Sequence, residues 1–122
     1  MPGSAVQTTS CCAGQEPSRA RLNLVRFAPC ARTDWHSHTL GQTLHIVSGI
    51  ALIGGRDGTI IEARPGDTVF TPAGEEHWHG AAPDAFMEHL ALWEGRGDGS
   101  PETEWLEKVT DELYNGPRTG TR

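Results

Sequence analysis

The feature that most constrains this chain is a set of side chains divided between two distant segments. The first segment holds His36, His38 and Gln42, and the second holds His77. Residues two apart in an extended strand point to the same face, so His36 and His38 can direct both rings toward one point. His77 must then reach that point from a different strand. The pattern therefore predicts a β-structure in which distant strands meet.

Turn residues support this arrangement. Gly41 allows a bend that lets Gln42 turn toward the same point as the two imidazoles before it. The turn signals at residues 66–67 and 72–74 bracket a short apolar strand. Such a hairpin would carry His77 across a β-barrel to the first segment.

Three imidazoles and one carboxamide at these spacings predict a divalent metal site, with the ligands His36, His38, Gln42 and His77. A His-x-His pair alone is usually a surface or core feature, so the prediction depends on the second segment and on the spacing from Gln42 to Gly49. Imidazole and amide donors suit Mn²⁺, Fe²⁺, Co²⁺, Ni²⁺ or Zn²⁺. Because Gln42 is uncharged, the metal would keep its full charge, which favours Lewis-acid chemistry and disfavours high oxidation states.

The two segments resemble the two motifs of the cupin superfamily. Gln42 stands where cupins commonly have Glu, and the second motif ends at Ala81 where many cupins have Asn. Four further segments resemble the small bacterial cupins that include manganese-dependent hydroxynitrile lyases, namely residues 41–44, 77–83, 89–91 and 105–112. The resemblance covers roughly residues 21–115. It implies an all-β fold, the cupin jelly-roll β-barrel (double-stranded β-helix).

The resemblance also implies an activity, a metal and a catalytic residue. It implies Mn²⁺ and a metal-dependent hydroxynitrile lyase, which cleaves or forms cyanohydrins from an aldehyde and cyanide. His89 occupies the position of a pocket histidine in these lyases and would be the catalytic general base, although a packed core histidine is the alternative. His45 is expected to face away from the site. The small-molecule substrate pocket is expected to contain Asn23, Val25, Phe27, Leu44, His79 and Trp93.

Other functions remain open at this point. An Fe(II)-dependent cupin dioxygenase would use a similar site, although the neutral Gln42 argues against it. An isomerase or hydrolase acting on a sugar-like or enol substrate could use the same Lewis acid. A non-catalytic cupin that binds a small molecule is a further alternative. Substrate-coupled oxygen uptake would identify the first, and tight binding without turnover would identify the last.

Length, charge and hydropathy narrow the class of protein. A chain of 122 residues has the size of one domain, and 15 Gly and 8 Pro suit many short strands joined by tight turns. The formal charge of −6 and the lack of a basic cluster argue against nucleic acid and membrane surfaces as partners. We see no apolar run of membrane-spanning length and no secretory signal, and we therefore expect a cytoplasmic protein. Apolar residues on both faces of the first expected strand predict a homodimer or higher homo-oligomer.

The cysteines predict neither a disulfide framework nor a second metal site. Their number is odd, and Cys11 and Cys12 are adjacent, whereas Cys30 lies apart. Adjacent side chains in an extended chain point away from each other. We therefore interpret Cys11 and Cys12 as two thiols on a mobile tail.

The chain is predicted to form a flexible tail over residues 1–20, a single cupin domain over 21–115 and a second tail over 116–122. Within the domain, the barrel covers 21–94. A C-terminal helix is expected at about 101–114, because Ser100 resembles an N-cap and apolar residues follow at helical spacing. Eight strands are predicted, at Arg21–Phe27, Asp34–Thr39, Thr43–Val47, Ile50–Ile53, Thr59–Glu62, Thr68–Phe70, His77–Gly80 and Phe86–Trp93.

Overall fold

Two β-sheets form the fold in a computed structural model that describes residues 5–120. In chain order the elements are β1 (Val6–Ala13), β2 (Ala20–Phe27), β3 (His36–His38), β4 (Gln42–Gly49), β5 (Ala51–Gly55), β6 (Ile60–Ala63), β7 (Thr68–Thr71), β8 (His77–Ala81), β9 (Met87–Glu94), β10 (Thr103–Trp105), α1 (Asp111–Tyr114) and β11 (Arg118–Gly120). The first sheet has the strand order β1-β2-β9-β4-β7, and the second has the order β10-β3-β8-β5-β6-β11. The all-β jelly-roll class with a short C-terminal helix is confirmed, and each of the eight expected strands lies within two residues of its predicted bounds.

Alternating burial explains why the central strands pack where they do. In β4 the side chains of Leu44 and Ile46 are buried, whereas those of His45 and Val47 are exposed. In β9 the buried residues Met87 and Ala91 follow the same period of two. Alternation of this kind marks a strand with one face toward the core and one toward solvent. The inner faces of the two sheets enclose the main core, formed by Val25, Phe27, Leu44, Ile46, Ala51, Ile53, Ala63, Ala81, Met87 and Ala91.

A second apolar cluster lies on the other face of the second sheet. Leu52 and Trp78 point away from the main core and are nonetheless buried. They are covered by Val109 and Tyr114 from the C-terminal segment. The Tyr114 hydroxyl donates a 2.6 Å hydrogen bond to the backbone carbonyl of Ala81, which holds that segment against the sheet.

The N-terminal region differs from the prediction. Residues 6–13 do not belong to a flexible tail, because they form β1, which pairs antiparallel with β2. Most of its side chains are exposed, so no hydrophobic alternation marks it as a strand. Backbone hydrogen bonds to β2, which would otherwise be the edge of the sheet, stabilise β1 instead. Residues 1–4 of the predicted tail lie outside the described residues.

The predicted helix at 101–114 is wrong over most of its length. Thr103–Trp105 form β10 beside β3, and α1 begins only after the N-cap Thr110, whose hydroxyl accepts from the backbone N–H of Leu113. The hydrogen bond from the Leu106 amide to the Trp35 carbonyl continues this pairing beyond β10. Hydrogen bonds to the backbone of β3 thus stabilise a strand here, although the apolar residues have the spacing of a helix.

The second predicted tail is also partly ordered as a strand. Residues Arg118–Gly120 form β11, which pairs parallel with β6. Residues 121–122 lie outside the described part of the chain. Among residues 5–120, no helix has the length and apolar character needed to cross a membrane.

Candidate metal centre

Two neighbouring strands bring four imidazoles together inside the barrel. His36 and His38 are the inward residues of β3, and His77 and His79 are the buried histidines of β8. His36 lies directly opposite His77 in the antiparallel register. The centroids of their rings are 4.3 Å apart, and those of His36 and His79 are 5.1 Å apart. Period-two alternation on both strands therefore produces one cluster of rings.

Three of these residues could hold a metal ion in the geometry observed. His36, His77 and His79 each offer one ring nitrogen, and these three atoms lie within 4.8 Å of one another. The sequence predicted His79 as a pocket residue. In the structure its ring nitrogen also lies close to those of His36 and His77. The signal for its position was its spacing of two residues from His77.

Hydrogen bonds on the outer sides of the rings orient two of them. The Nδ1–H of His36 donates to the carbonyl of Asp34 at 2.8 Å, and the Nδ1–H of His77 donates to the carbonyl of Glu75 at 3.3 Å. A carbonyl can only accept, so the proton is on Nδ1 and Nε2 keeps its lone pair. This second-sphere pattern is the usual one for histidines that bind metals.

Gln42 and His38 complete the predicted set around His36 and His77. The Oε1 atom of Gln42 lies 3.3 Å from the Nε2 of His77. His38 has its Nδ1 3.1 Å from the hydroxyl of Thr103, and its Nε2 is buried without a hydrogen-bond partner among the described residues. Buried polar atoms are rarely left without a partner, and a metal ion would supply one here. The donor set thus fits a divalent cation.

Burial keeps these imidazoles uncharged at neutral pH. Burial, with a smaller contribution from the neighbouring ring of His36, lowers the pKa of His38 to about 4 and that of His77 to about 3. Burial also lowers the pKa of His36, against the opposing effect of its hydrogen bond to Asp34. The neutral imidazole is the form that coordinates a metal.

A cavity of about 250 Å³ opens beside the cluster. It is lined by His36, His38 and Gln42, and also by five of the six predicted pocket residues, namely Asn23, Val25, Phe27, His79 and Trp93. Leu44, the sixth, does not line it. Its side chain is fully buried in the main core, because the inward face of β4 continues past the cavity into the barrel.

Sequence reasoning missed part of the cavity wall. Val6 and Thr8 from β1, and Thr103 and Trp105 from β10, also line it. The Trp105 ring lies 4.7 Å from that of His36, although more than half of the Trp105 side chain is exposed. No local pattern marked these residues, since their place follows from the pairing of two strands at sheet edges.

His89 and His79 form a hydrogen-bonded pair at the inner end of the site. The Nε2 of His89 lies 3.0 Å from the Nδ1 of His79, and both rings are buried. Burial lowers the pKa of His89 to about 4 and that of His79 well below its ordinary value. The Nδ1 of His89 is buried and has no partner among the described residues. His45, in contrast, is exposed and contacts the Thr68 hydroxyl at 2.8 Å, so its predicted outward orientation is confirmed.

A larger groove lies elsewhere on the molecule. It has a volume of about 540 Å³ and is bordered by β7 and the β5–β6 hairpin, with Ile61, Val69 and Phe70 in its wall. Of the six histidines, only His77 borders it. The chemistry of the site therefore belongs to the smaller cavity, where the imidazoles converge.

The three cysteines lie outside this site. Cys11, Cys12 and Cys30 are free and exposed. The two on β1 belong to a paired strand rather than to a mobile tail.

The fold is a jelly roll that encloses a histidine cluster able to hold a metal ion, and the sequence comparison agrees with this fold. Residues 23–93 match the cupin domain family, and the chain belongs to that family. It is 50% identical over 90 residues to an (R)-mandelonitrile lyase of Granulicella tundricola, and the match covers 74% of this chain and 67% of that protein.

Solved structures place the chain in the same fold. A cupin-like protein of Thermotoga maritima is 34% identical with a TM-score of 0.80, covering 89% of this chain and 81% of its own. A polyketide cyclase of Streptomyces resistomycificus is 19% identical with a TM-score of 0.70, covering 90% and 76% of the two chains. At that identity, the second likeness concerns the fold alone.

Proposed function

We propose that this protein is a metal-dependent hydroxynitrile lyase, which cleaves cyanohydrins to an aldehyde and cyanide or forms them in reverse. The observation that carries the proposal is the cavity of about 250 Å³, because it is lined by His36, His38 and Gln42 and also by the hydrogen-bonded His79–His89 pair. A molecule in this cavity would contact predicted ligands and a predicted base at once. The relative named (R)-mandelonitrile lyase supports the same activity.

The proposed metal ligands are His36, His38, Gln42 and His77. When bound, a divalent metal supplies Lewis acidity, which lowers the pKa of a coordinated hydroxyl group. We propose Mn²⁺ from the resemblance of the sequence to manganese-dependent lyases, whereas the donor atoms are also compatible with Fe²⁺, Zn²⁺, Ni²⁺ and Co²⁺. His79 lies close enough to compete for a place in this set.

The tautomer of the His79–His89 pair decides the role of each ring. One proton lies between the Nδ1 of His79 and the Nε2 of His89, which are 3.0 Å apart. If His89 donates it, its own Nδ1 carries a lone pair and can act as a base. The Nδ1 of His79 then accepts this bond, its single N–H proton lies on Nε2, and it does not bind the metal. We adopt this tautomer, because it is the one that leaves four ligands and one free base.

The proposed reaction balances with His89 alone as the proton carrier. His89 takes the proton from the substrate hydroxyl, and the oxygen electrons form the carbonyl double bond. The carbon–carbon bond breaks, and its electron pair leaves with cyanide. The protonated His89 then returns the proton to cyanide, which gives hydrogen cyanide and restores the neutral base. Val25, Phe27 and Trp93 would form an apolar wall for an aryl group.

The test is cyanide release from racemic mandelonitrile by the Mn²⁺-loaded protein, compared with a His77→Ala variant. We expect release by the wild-type protein and loss in the variant, because His77 is a proposed ligand. Chiral analysis of the remaining mandelonitrile would show whether one enantiomer is consumed. Equal release by both proteins, or none by wild-type protein with its metal bound, would contradict the proposal.

A further inference from the structure

The hydroxyl of Thr103 contacts a proposed metal ligand from a strand that sequence reasoning did not anticipate. Its Oγ1 lies 3.1 Å from the Nδ1 of His38, on the side of the ring opposite Nε2. We propose that Thr103 is a positioning residue for the metal centre, one that holds His38 in the tautomer with a free lone pair on Nε2. This inference rests on the proposed metal site and adds to it a residue outside the ligand set.

The two possible hydrogen bonds at this contact have different consequences. If the Nδ1–H of His38 donates to Thr103, Nε2 is unprotonated and can bind a metal. If the Thr103 hydroxyl donates to Nδ1, the proton of His38 sits on Nε2, which is buried beside Gln42 and has no acceptor in hydrogen-bonding geometry among the described residues. A buried donor without an acceptor is costly. The first arrangement is therefore favoured, with the Thr103 oxygen as acceptor.

The Nδ1 of His38 contacts a side chain, whereas the shortest Nδ1 contacts of the other two predicted imidazole ligands are to backbone. His36 and His77 contact the carbonyls of Asp34 and Glu75, each two residues earlier in the chain, and the Thr33 hydroxyl lies farther from His36, at 3.5 Å. The partner of His38 is 65 residues away. A carbonyl cannot be removed by substitution, whereas the Thr103 hydroxyl can. His38 is thus the predicted ligand whose orientation a single remote substitution can change.

The strand that carries Thr103 is held firmly against β3. Thr103 lies directly opposite His38 in the register, and the Thr39 amide donates to the Glu102 carbonyl at 3.0 Å. The Glu102 carboxylate accepts a 2.9 Å hydrogen bond from the indole of Trp93. It also pairs with Arg21 at 3.5 Å. These contacts fix the backbone of β10, so the position of the hydroxyl is set before any metal binds.

The test compares the Mn²⁺ affinity of three variants of the full chain, measured from the electron paramagnetic resonance signal of the free ion. Thr103→Val keeps the shape of the side chain but removes the acceptor, and we expect affinity to fall about 10- to 100-fold, as for other second-sphere losses. Thr103→Ser keeps the hydroxyl and should bind close to wild type. Thr39→Val is the matched control, because the Thr39 hydroxyl contacts the carbonyls of Pro101 and Glu102, just before β10, and no imidazole among the described residues.

A second measurement separates positioning from a loss of structure. Nitrogen-15 NMR of the metal-free protein reports which ring nitrogen of His38 carries the proton. We expect Nδ1–H in wild type and Thr103→Ser, and a mixture of tautomers in Thr103→Val. Wild-type affinity in Thr103→Val, or an equal loss in Thr39→Val, would overturn the inference. If wild-type protein binds no Mn²⁺, the proposed function fails, whereas the tautomer measurement still decides the role of Thr103.

Discussion

His89, like the predicted ligand His38, has one buried ring nitrogen without a hydrogen-bond partner among the described residues, but it is not itself a predicted ligand. Its Nε2 is occupied by His79, whereas its Nδ1 is buried and partnerless within the described residues. It also lies on the cavity wall. The combination of one engaged nitrogen and one free nitrogen is what a general base needs, because the first bond orients the ring and the second atom takes the proton.

Replacement of this residue should therefore remove catalysis and leave the metal in place. In His89→Ala we expect kcat for mandelonitrile cleavage to fall about 10²- to 10⁴-fold, the usual contribution of a positioned base. Metal content, measured by elemental analysis, should match wild type, because His89 is not a proposed ligand. His45→Ala is the control, since that ring is exposed on the outer face of β4. Full turnover in a metal-loaded His89→Ala protein would exclude the proposed role.

At the scale of elements, the turn that ends β4 depends on the absence of a side chain at Gly49. This residue has a φ of +79°, a conformation that L-residues rarely adopt. A Cβ placed there would overlap the backbone carbonyl of Phe86, beside the start of β9. The glycine that ends the first motif, seven residues after Gln42, is thus required for a steric reason. The close approach aligns β4 and β9, which carry Gln42 and His89.

A pair of glycine substitutions separates the two effects at this turn. Gly58 has a similar φ of +85°, but a Cβ there would have no heavy atom within 4 Å. Gly58→Ala should cost about 1–2 kcal/mol of unfolding free energy, from backbone strain alone. Gly49→Ala should cost clearly more, because β4 and β9 must also move apart. Urea unfolding of the two variants provides the comparison, and equal losses would show that steric overlap contributes nothing.

Across the whole molecule, the site makes stability dependent on pH. Five buried imidazoles have a pKa below the ordinary value of 6.5, namely those of His36, His38, His77, His79 and His89. Below pH 6.5 the unfolded chain binds protons that the folded protein excludes. Stability must therefore fall as the pH falls through this range. The same burial that keeps the rings ready for metal destabilises the metal-free fold in acid.

We expect the unfolding free energy of the metal-free protein to fall between pH 6.5 and pH 5 by more than ~1.4 kcal/mol per pH unit, the value for one proton. Urea unfolding at a series of pH values, in the presence of a chelator, measures this slope. The series stays above pH 5 because Glu107 also contributes to the pH dependence below that point. Its pKa is about 2 in the folded protein, where the Arg56 guanidinium holds it below the ordinary value of 4.5. A flat profile would mean that the buried rings do not control acid stability.

Assembly of the whole molecule into a homodimer stays a prediction.

Much of the barrel could be predicted from the sequence, because its information is local. Turn signals and short apolar or alternating runs together placed the eight expected strands, and the period of two put His36 and His38 on one face. The same rule placed His79 beside His77 and turned His45 outward. A strand that buries one face repeats its pattern every second residue, and that pattern is visible without knowledge of the partner strands.

Only the tertiary structure decided which strands close the edges of the site. β1 and β10 have no pattern of their own, because they are stabilised by the open backbone groups of β2 and β3. Their pairing placed two residues of a predicted tail and two of a predicted helix in the cavity wall, and it brought Thr103 to His38. The burial of Leu44 in the main core, away from the cavity, depends on the packing of the two sheets and is likewise tertiary. The sequence by itself determined the inward-facing imidazoles, whereas contacts between remote backbone segments determined what surrounds them.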